Sequence, residues 1–266
     1  MSTFIIGFFF VIVTTVLAVL GMVYVRKKVG VPKLREYHEV AGYLLSIIGT
    51  LYSLLLGFVV VDTMQHVQDL RVLVEQEANG IANIYLCSKV FETKDRDDIR
   101  NLSHDLVLAV VEDEWPAMQE GKFSPKAFQC AYRLWSRILS VEPKTELQKN
   151  AQAQIISEMC RTAESRRTRL VSAKMGVQPI LWLVLIVGGL FTVLFTYFFG
   201  VESIRAQIIM TTLVALTLAL NMLLVFIFGS PFTGDLAVRP DAFKLNLQIY
   251  EKVKELDANR PVDWSK

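Results

Sequence analysis

Apolar residues along the chain fall into four runs that are each long enough to cross a bilayer. The runs cover residues 3–25, 40–61, 179–200 and 207–229, and none of them contains a formal charge. A helix needs about 20 apolar residues to span a hydrocarbon core of ~30 Å. The pattern therefore predicts four transmembrane helices.

The long segment between the second and third runs has a helical pattern of a different kind. Its apolar residues recur every three or four positions among charged ones, and strand-like alternation is not found. Asp95 is predicted to cap a helix that runs to about Glu114 and stops at Trp115-Pro116. Ser124 before Pro125 is the start expected of a second helix, and a third begins near Thr145.

These patterns predict an all-α membrane protein with an all-helical soluble insert between spans 2 and 3. After the fourth run, a Pro-Phe-Thr-Gly turn leads into an amphipathic segment that is too polar to span and is expected to pack on the insert. The predicted divisions are 1–63 (spans 1 and 2), 64–176 (soluble bundle), 177–229 (spans 3 and 4) and 230–266 (tail).

The second run continues without a proline into the insert. Val67, Leu70 and Val74 keep the helical repeat beyond the apolar residues. This predicts one helix of roughly 50 residues, which at ~1.5 Å per residue reaches about 75 Å and projects from the bilayer into water.

Small and hydroxyl residues form a stripe along the second run. Its members recur in helical steps of three and four: Gly42, Ser46, Gly49, Thr50, Ser53 and Gly57. One interpretation is close packing between helices, because small residues let backbones approach in lipid. The other is a pore lining, in which the hydroxyls face water on the axis of an oligomer. The spacing alone leaves both open.

Other polar residues near the membrane are candidates for contact with ions. Asp62 follows the second run and, repeated around an axis, would form a ring that concentrates cations. Gln65 and His66 lie beside it at the same predicted pore mouth. Asn221, one turn after Thr217 in the fourth run, is expected to bond between helices.

Composition narrows the function classes. Of 266 residues, 53% are hydrophobic, and the net charge of +2 provides no basic face for a nucleic acid. Neither a nucleotide-binding glycine loop nor a metal-ligand spacing is found, so we expect no cofactor, no metal and no enzyme activity. The three cysteines are expected to be free thiols, and Glu112-Asp113-Glu114 a solvated helix end.

Charge does not decide the orientation. Short loops on one side carry Arg26, Lys27 and Lys28, which favours an outside insert, whereas the basic cluster before Pro179 favours the reverse.

Several motifs together resemble the bestrophin-like family of four-span membrane proteins. They are Gly49 to Phe58, Glu77-Ala78, Arg166-Arg167, Arg169-Leu170, Leu181-Trp182 and Pro231 to Gly234. Ser230 stands where this family pattern would have an acidic residue. The resemblance implies an oligomeric channel whose second span lines a central pore and whose helical insert is cytosolic.

The leading hypothesis is a homo-oligomeric ion channel of the cell (inner) membrane that favours monovalent cations over anions. Its partners would be the lipid bilayer, the permeating ions and further copies of the chain. The alternative is a non-conducting membrane scaffold or sensor whose insert binds a partner. That alternative predicts a stripe buried among the helices of one subunit.

Overall fold

The computed structural model describes residues 3–174 and 176–259, which are mostly helical and contain no β-strand. The helices are α1 (Thr3–Val29), α2 (Val31–Glu36), α3 (His38–Cys87), α4 (Thr93–Ala109), α5 (Trp115–Gln119), α6 (Pro125–Leu139), α7 (Glu146–Ser172), α8 (Pro179–Tyr197), α9 (Ile204–Phe228) and α10 (Asp241–Asn259). Helices α1, α3, α8 and α9 are long and apolar enough to cross a membrane. The all-α prediction with four such helices is confirmed.

The chain forms two compact units. The first, called the membrane unit here, comprises Met1–Val67 and Gly176–Ala237. The second, the soluble unit, comprises Gln68–Met175 and Val238–Lys266. Helix α3 contributes its first part to one unit and the rest to the other. The last residues of the predicted tail, 260–266, lie outside the described residues.

In the membrane unit, one face of α3 packs against α8 and α9. Tyr52 and Leu56 are buried there with Leu185 and Val225. The Tyr52 hydroxyl donates a hydrogen bond to the Leu185 carbonyl oxygen over 2.7 Å. A Cβ added to Gly188 would lie 2.4 Å from the Tyr52 ring, so this close approach requires glycine on α8. Helix α1 packs mainly along α9 and also contacts α8.

In the soluble unit, α4 packs against α6, and α10 packs on α4. The rings of Tyr250 on α10 and Tyr85 on α3 stack with centroids 3.9 Å apart. The Asn246 side chain donates a buried hydrogen bond of 2.7 Å to the Ala78 carbonyl oxygen. Both contacts hold α10 against the last third of α3.

Two predicted boundaries in this unit were wrong. Asp95 is not the cap of α4, because the helix starts two residues earlier, after Glu92, and Asp95 pairs with Arg137 instead. Trp115-Pro116 does not end the helical segment, because a π turn at Val110–Glu114 intervenes. That wider turn leaves Pro116 in the first turn of α5, where a missing N–H disrupts no hydrogen bond. The Ser124 cap forms as predicted, and the third helix begins near Thr145 as predicted, with Thr145 as its cap. Each of the two side chains accepts a backbone N–H.

Candidate functional site

Four of the six residues in the small and hydroxyl stripe of α3 lie on a face that the described residues leave uncovered. Ser46, Thr50, Ser53 and Gly57 are exposed. Gly42 and Gly49, nearer the buried face, are half-buried. The stripe is therefore adjacent to the face that carries Tyr52 and Leu56 but is not part of it.

The distances from the stripe to neighbouring atoms agree with its exposure. Among the described residues, a Cβ on Gly57 would meet nothing within 4 Å, and one on Gly49 would meet only Leu45 of the same helix. Thr50 donates its hydroxyl proton to the Ser46 carbonyl at 2.7 Å, and Ser53 to the Thr50 carbonyl at 2.9 Å. Each hydroxyl oxygen still has lone pairs that can accept a hydrogen bond from water. The stripe is thus not sealed between helices of one subunit, contrary to the expectation of the scaffold hypothesis.

The predicted pore-mouth residues are also exposed, but they do not all continue the stripe. Asp62, Gln65 and His66 are accessible on α3. Asp62 follows Ser53 by nine residues, which is about two and a half turns of an α-helix. The two side chains therefore point to nearly opposite sides of α3. A lining role for Ser53 and a charge ring at Asp62 are consequently separate hypotheses, to be tested separately.

The polar residues of α9 bond within their own helix. Thr217 donates to the Leu213 carbonyl and Asn221 to the Thr217 carbonyl, both at 2.9 Å. Thr217 is exposed and Asn221 half-buried. The interhelical role predicted for Thr217 and Asn221 stays a prediction.

The soluble unit contains a buried network of four charged side chains that connects three segments. Arg169 on α7 binds Glu77 of α3 through two hydrogen bonds, of 2.7 and 2.9 Å. It also donates to Glu114 in the π turn at 2.5 Å, and Arg166 pairs with the same carboxylate. The side chains of Arg169 and Glu77 are 0% exposed, and that of Glu114 is 1% exposed.

Charge neutrality and several charge-assisted hydrogen bonds explain how these groups tolerate burial. Two arginines balance two glutamates, and the Arg169 guanidinium also lies 5.0 Å from the Trp115 ring centroid. Burial alone would raise the pKa of Glu114, but hydrogen bonds and positive charge from Arg166 and Arg169 lower it below its usual range. Burial opposes the charge of Arg169, yet the two carboxylates raise its pKa. Both shifts favour the charged forms of Glu114 and Arg169.

This network was missed by the sequence analysis. The prediction that Glu112-Asp113-Glu114 is a solvated helix end was wrong for Glu114, because the π turn directs its carboxylate towards α7. One signal was available: Glu77 stands three residues after Val74, on the apolar repeat of α3. A charge at such a position indicates a buried partner.

The cysteines and the possible metal ligands of the described residues point to no further site beyond the stripe and the buried network. The cysteines are free thiols, of which Cys87 and Cys130 are half-buried and Cys160 is exposed. Burial raises the pKa of Cys87, which makes its thiol less reactive. In the described part of the chain, no group of three or more His, Cys, Asp or Glu side chains could hold a metal ion.

The fold and the exposed α3 stripe define a multi-pass all-α membrane protein with a helical soluble unit. A sequence profile of the Bestrophin-like domain matches residues 12–243. The chain therefore belongs to the bestrophin-like family. This finding confirms the resemblance drawn from the motifs.

A solved structure supports the fold. The crystal structure of a bacterial bestrophin homologue from Klebsiella pneumoniae, carrying one point mutation, superposes with a TM-score of 0.64. The sequence identity is 12%, and the match covers 90% of this chain and 98% of the homologue. No curated protein sequence is significantly similar to this chain.

Proposed function

We propose that this protein is a homo-oligomeric ion channel of the cell (inner) membrane, with a central pore lined by α3. Membership of the bestrophin-like family supports this proposal. So does the composition of the spans: an ion-coupled pump usually keeps a charged residue inside the membrane, whereas the four apolar runs have none. The chemistry is passive conduction, with no enzymatic step.

The observation that carries the proposal is the uncovered stripe on α3. Ser46, Thr50 and Ser53 present hydroxyl oxygens on a face that no other helix of the described chain covers. In an oligomer this face meets either lipid, another copy or water. Hydroxyl groups gain most from water, and small side chains leave room for it. We therefore place this face on the conducting axis.

Ion flux through liposomes tests conduction. Purified protein should pass K⁺ or Na⁺ at rates well above those of empty liposomes. A matched variant is Gly57→Leu, which adds bulk to the stripe at a position with no neighbour within 4 Å among the described residues. It should fold and assemble normally but conduct less. Flux equal to that of empty liposomes, with correctly assembled protein, would favour the non-conducting scaffold instead.

The proposed preference for monovalent cations depends on Asp62. Asp62 points away from Ser53. A ring of Asp62 carboxylates, one from each copy, would therefore act at a mouth of the pore, or α3 would be rotated there so that Asp62 instead of the stripe faces the axis. In a salt gradient, Asp62→Asn should shift the reversal potential towards that of the anion. Glu39→Gln, which removes an exposed acid in the first turn of α3, is the control. An unchanged reversal potential in Asp62→Asn would remove the cation proposal but leave conduction intact.

A further inference from the structure

A cavity of about 690 Å³ opens within the soluble unit, beside the buried network. Residues of α3, α4, α5, α6 and α7 line it, together with the segments that follow α5 and α7. Its size falls in the range of ~300–1,000 Å³ that holds drug-sized ligands. Most of its wall is apolar, including Ile81, Leu106, Phe128, Met159 and Leu170.

The polar part of the wall is positively charged. Arg166, Arg167, Lys122 and Lys174 line the cavity, and Glu77 is the one carboxylate among its described lining residues. Glu77 is already neutralised by Arg169, Arg166 is paired with Glu114, and Lys122 lies 2.6 Å from Glu120. These pairs leave Arg167 and Lys174 to be considered.

Arg167 and Lys174 are the surplus charges. Both are exposed side chains, and neither forms an ion pair with a carboxylate in the part of the chain that the structure describes. Thr162 also lines the cavity, and its Oγ1 is buried without a hydrogen-bond partner among the described residues. The cavity thus combines a mainly apolar wall with two cations that lack counter-charges.

We infer that this cavity binds a single-chain anionic amphiphile, such as a long-chain carboxylate. The apolar tail would lie against Leu106, Phe128 and Met159, where it replaces water. The anionic head would accept charge-assisted hydrogen bonds from Arg167 and Lys174. A polar anion without a tail would leave the apolar wall wet, and a neutral tail would leave both cations without a counter-charge.

Calorimetric titration of the full-length protein in lipid nanodiscs tests this inference without any measurement of ion flux. Dodecanoate is the probe, and dodecanol and dodecyltrimethylammonium have the same chain without the negative charge. We expect dodecanoate to bind and the other two to bind at least about tenfold more weakly. Equal binding of all three would mean non-specific partition and would overturn the inference.

Variants locate the site. The double variant Arg167→Gln/Lys174→Gln should weaken dodecanoate binding at least about tenfold, because both charge-assisted bonds are lost. Ala131→Phe, which adds bulk to the cavity wall, should reduce binding by a separate route. Arg161→Gln is the control, since Arg161 is an exposed arginine on α7 that is not among the lining residues. Full affinity in both the double variant and Ala131→Phe would overturn the inference.

Two further measurements identify what occupies the cavity. Nanodiscs of zwitterionic lipid are compared with nanodiscs that contain phosphatidylglycerol. Equal dodecanoate affinity in both kinds of nanodisc would assign the site to a free amphiphile. Weaker dodecanoate binding in the nanodiscs with phosphatidylglycerol would mean that this lipid competes for the site, which would assign the site to the headgroup of a membrane lipid. If no probe binds and Ala131→Phe instead changes the oligomeric state, a second copy of the chain covers the cavity and the inference is wrong.

Discussion

The polar groups on α3 and α9 of the membrane unit bond differently from the buried charges of the soluble unit. In the membrane unit, Thr50, Ser53, Thr217 and Asn221 bond to backbone carbonyls of their own helices. In the soluble unit, full charges are buried and bond between segments that are far apart in sequence. These four polar groups leave their helix faces free for other contacts, whereas the buried charges of the soluble unit fix one arrangement of three segments.

This difference indicates where substitutions should matter. A buried charge that loses its partner strongly destabilises the folded state, because nothing replaces the lost interaction. Replacing a hydroxyl on an exposed helix face changes the folding free energy little. Any large effect of such a substitution would therefore concern function rather than folding. The soluble unit should therefore be sensitive in stability, and the α3 stripe sensitive in conduction.

The largest effect is expected for Arg169→Met. This change leaves Glu77 buried without its partner and costs about 3–5 kcal/mol of folding free energy. Thermal unfolding followed by tryptophan fluorescence should show a midpoint lower by about 10 °C. The control is Arg161→Met on the same helix, where the side chain is exposed and the change is expected to stay within about 0.5 kcal/mol. Equal midpoints for the two variants would contradict the role given to the network.

In the membrane unit, the largest effect is expected for Gly188→Ala. The added Cβ would lie 2.4 Å from the Tyr52 ring, and such overpacking costs about 1–3 kcal/mol. Gly57→Ala on α3 is the matched control, because its Cβ meets no described atom within 4 Å. Chemical denaturation in mild detergent can compare them. If Gly57→Ala is the more destabilising change, the stripe is packed in the assembly and cannot line a pore.

A smaller effect is expected for Asn246→Ala. It removes one buried hydrogen bond between α10 and α3, which contributes about 1 kcal/mol. Limited proteolysis should then cleave within α10 faster than in the unaltered protein. Lys252→Ala, at an exposed position of the same helix, provides the comparison. Identical cleavage rates would show that this bond does not hold α10 in place.

The smallest effect concerns pH. Because the folded pKa of Glu114 is lowered, its contribution to stability is fully present above the unfolded pKa of about 4.3 and is lost as the pH falls through the folded value. Unfolding midpoints at pH 7 and pH 3 should therefore differ more for the unaltered protein than for Glu114→Gln. Since other acids contribute equally to both proteins, an identical pH dependence would mean that Glu114 is not paired as described.

The sequence was sufficient for the parts of the fold that follow from long patterns. Four apolar runs predict four helices, and the repeat through Val67 and Leu70 predicts that α3 continues beyond the bilayer. The sequence could not show which side of α3 is buried, because residues 40–61 carry no charge on any side and lipid is as apolar as a protein core. Tyr52 and Gly188 settle that side through a contact between residues more than a hundred positions apart.

The ion-pair network could not be predicted from the sequence, for a related reason. Glu114 belongs to a run of three acids that is typical of a surface. It becomes buried because a π turn reorients the chain, and no residue pattern in Val110–Glu114 announces such a turn. The basic cluster before α8 also looked uniform, yet Arg169 is buried in the network whereas Arg167 is exposed. Only the fold separates these neighbours.

Accessibility of an introduced cysteine tests the central claim most directly. In a background with Cys87, Cys130 and Cys160 replaced by serine, Ser53→Cys is compared with Leu56→Cys, which lies on the buried face of α3. A charged, water-soluble thiosulfonate should modify Ser53→Cys in liposomes and reduce its ion flux, and it should leave Leu56→Cys unchanged. A Ser53→Cys channel that conducts normally after exposure to the reagent would contradict the assignment of this face to the pore.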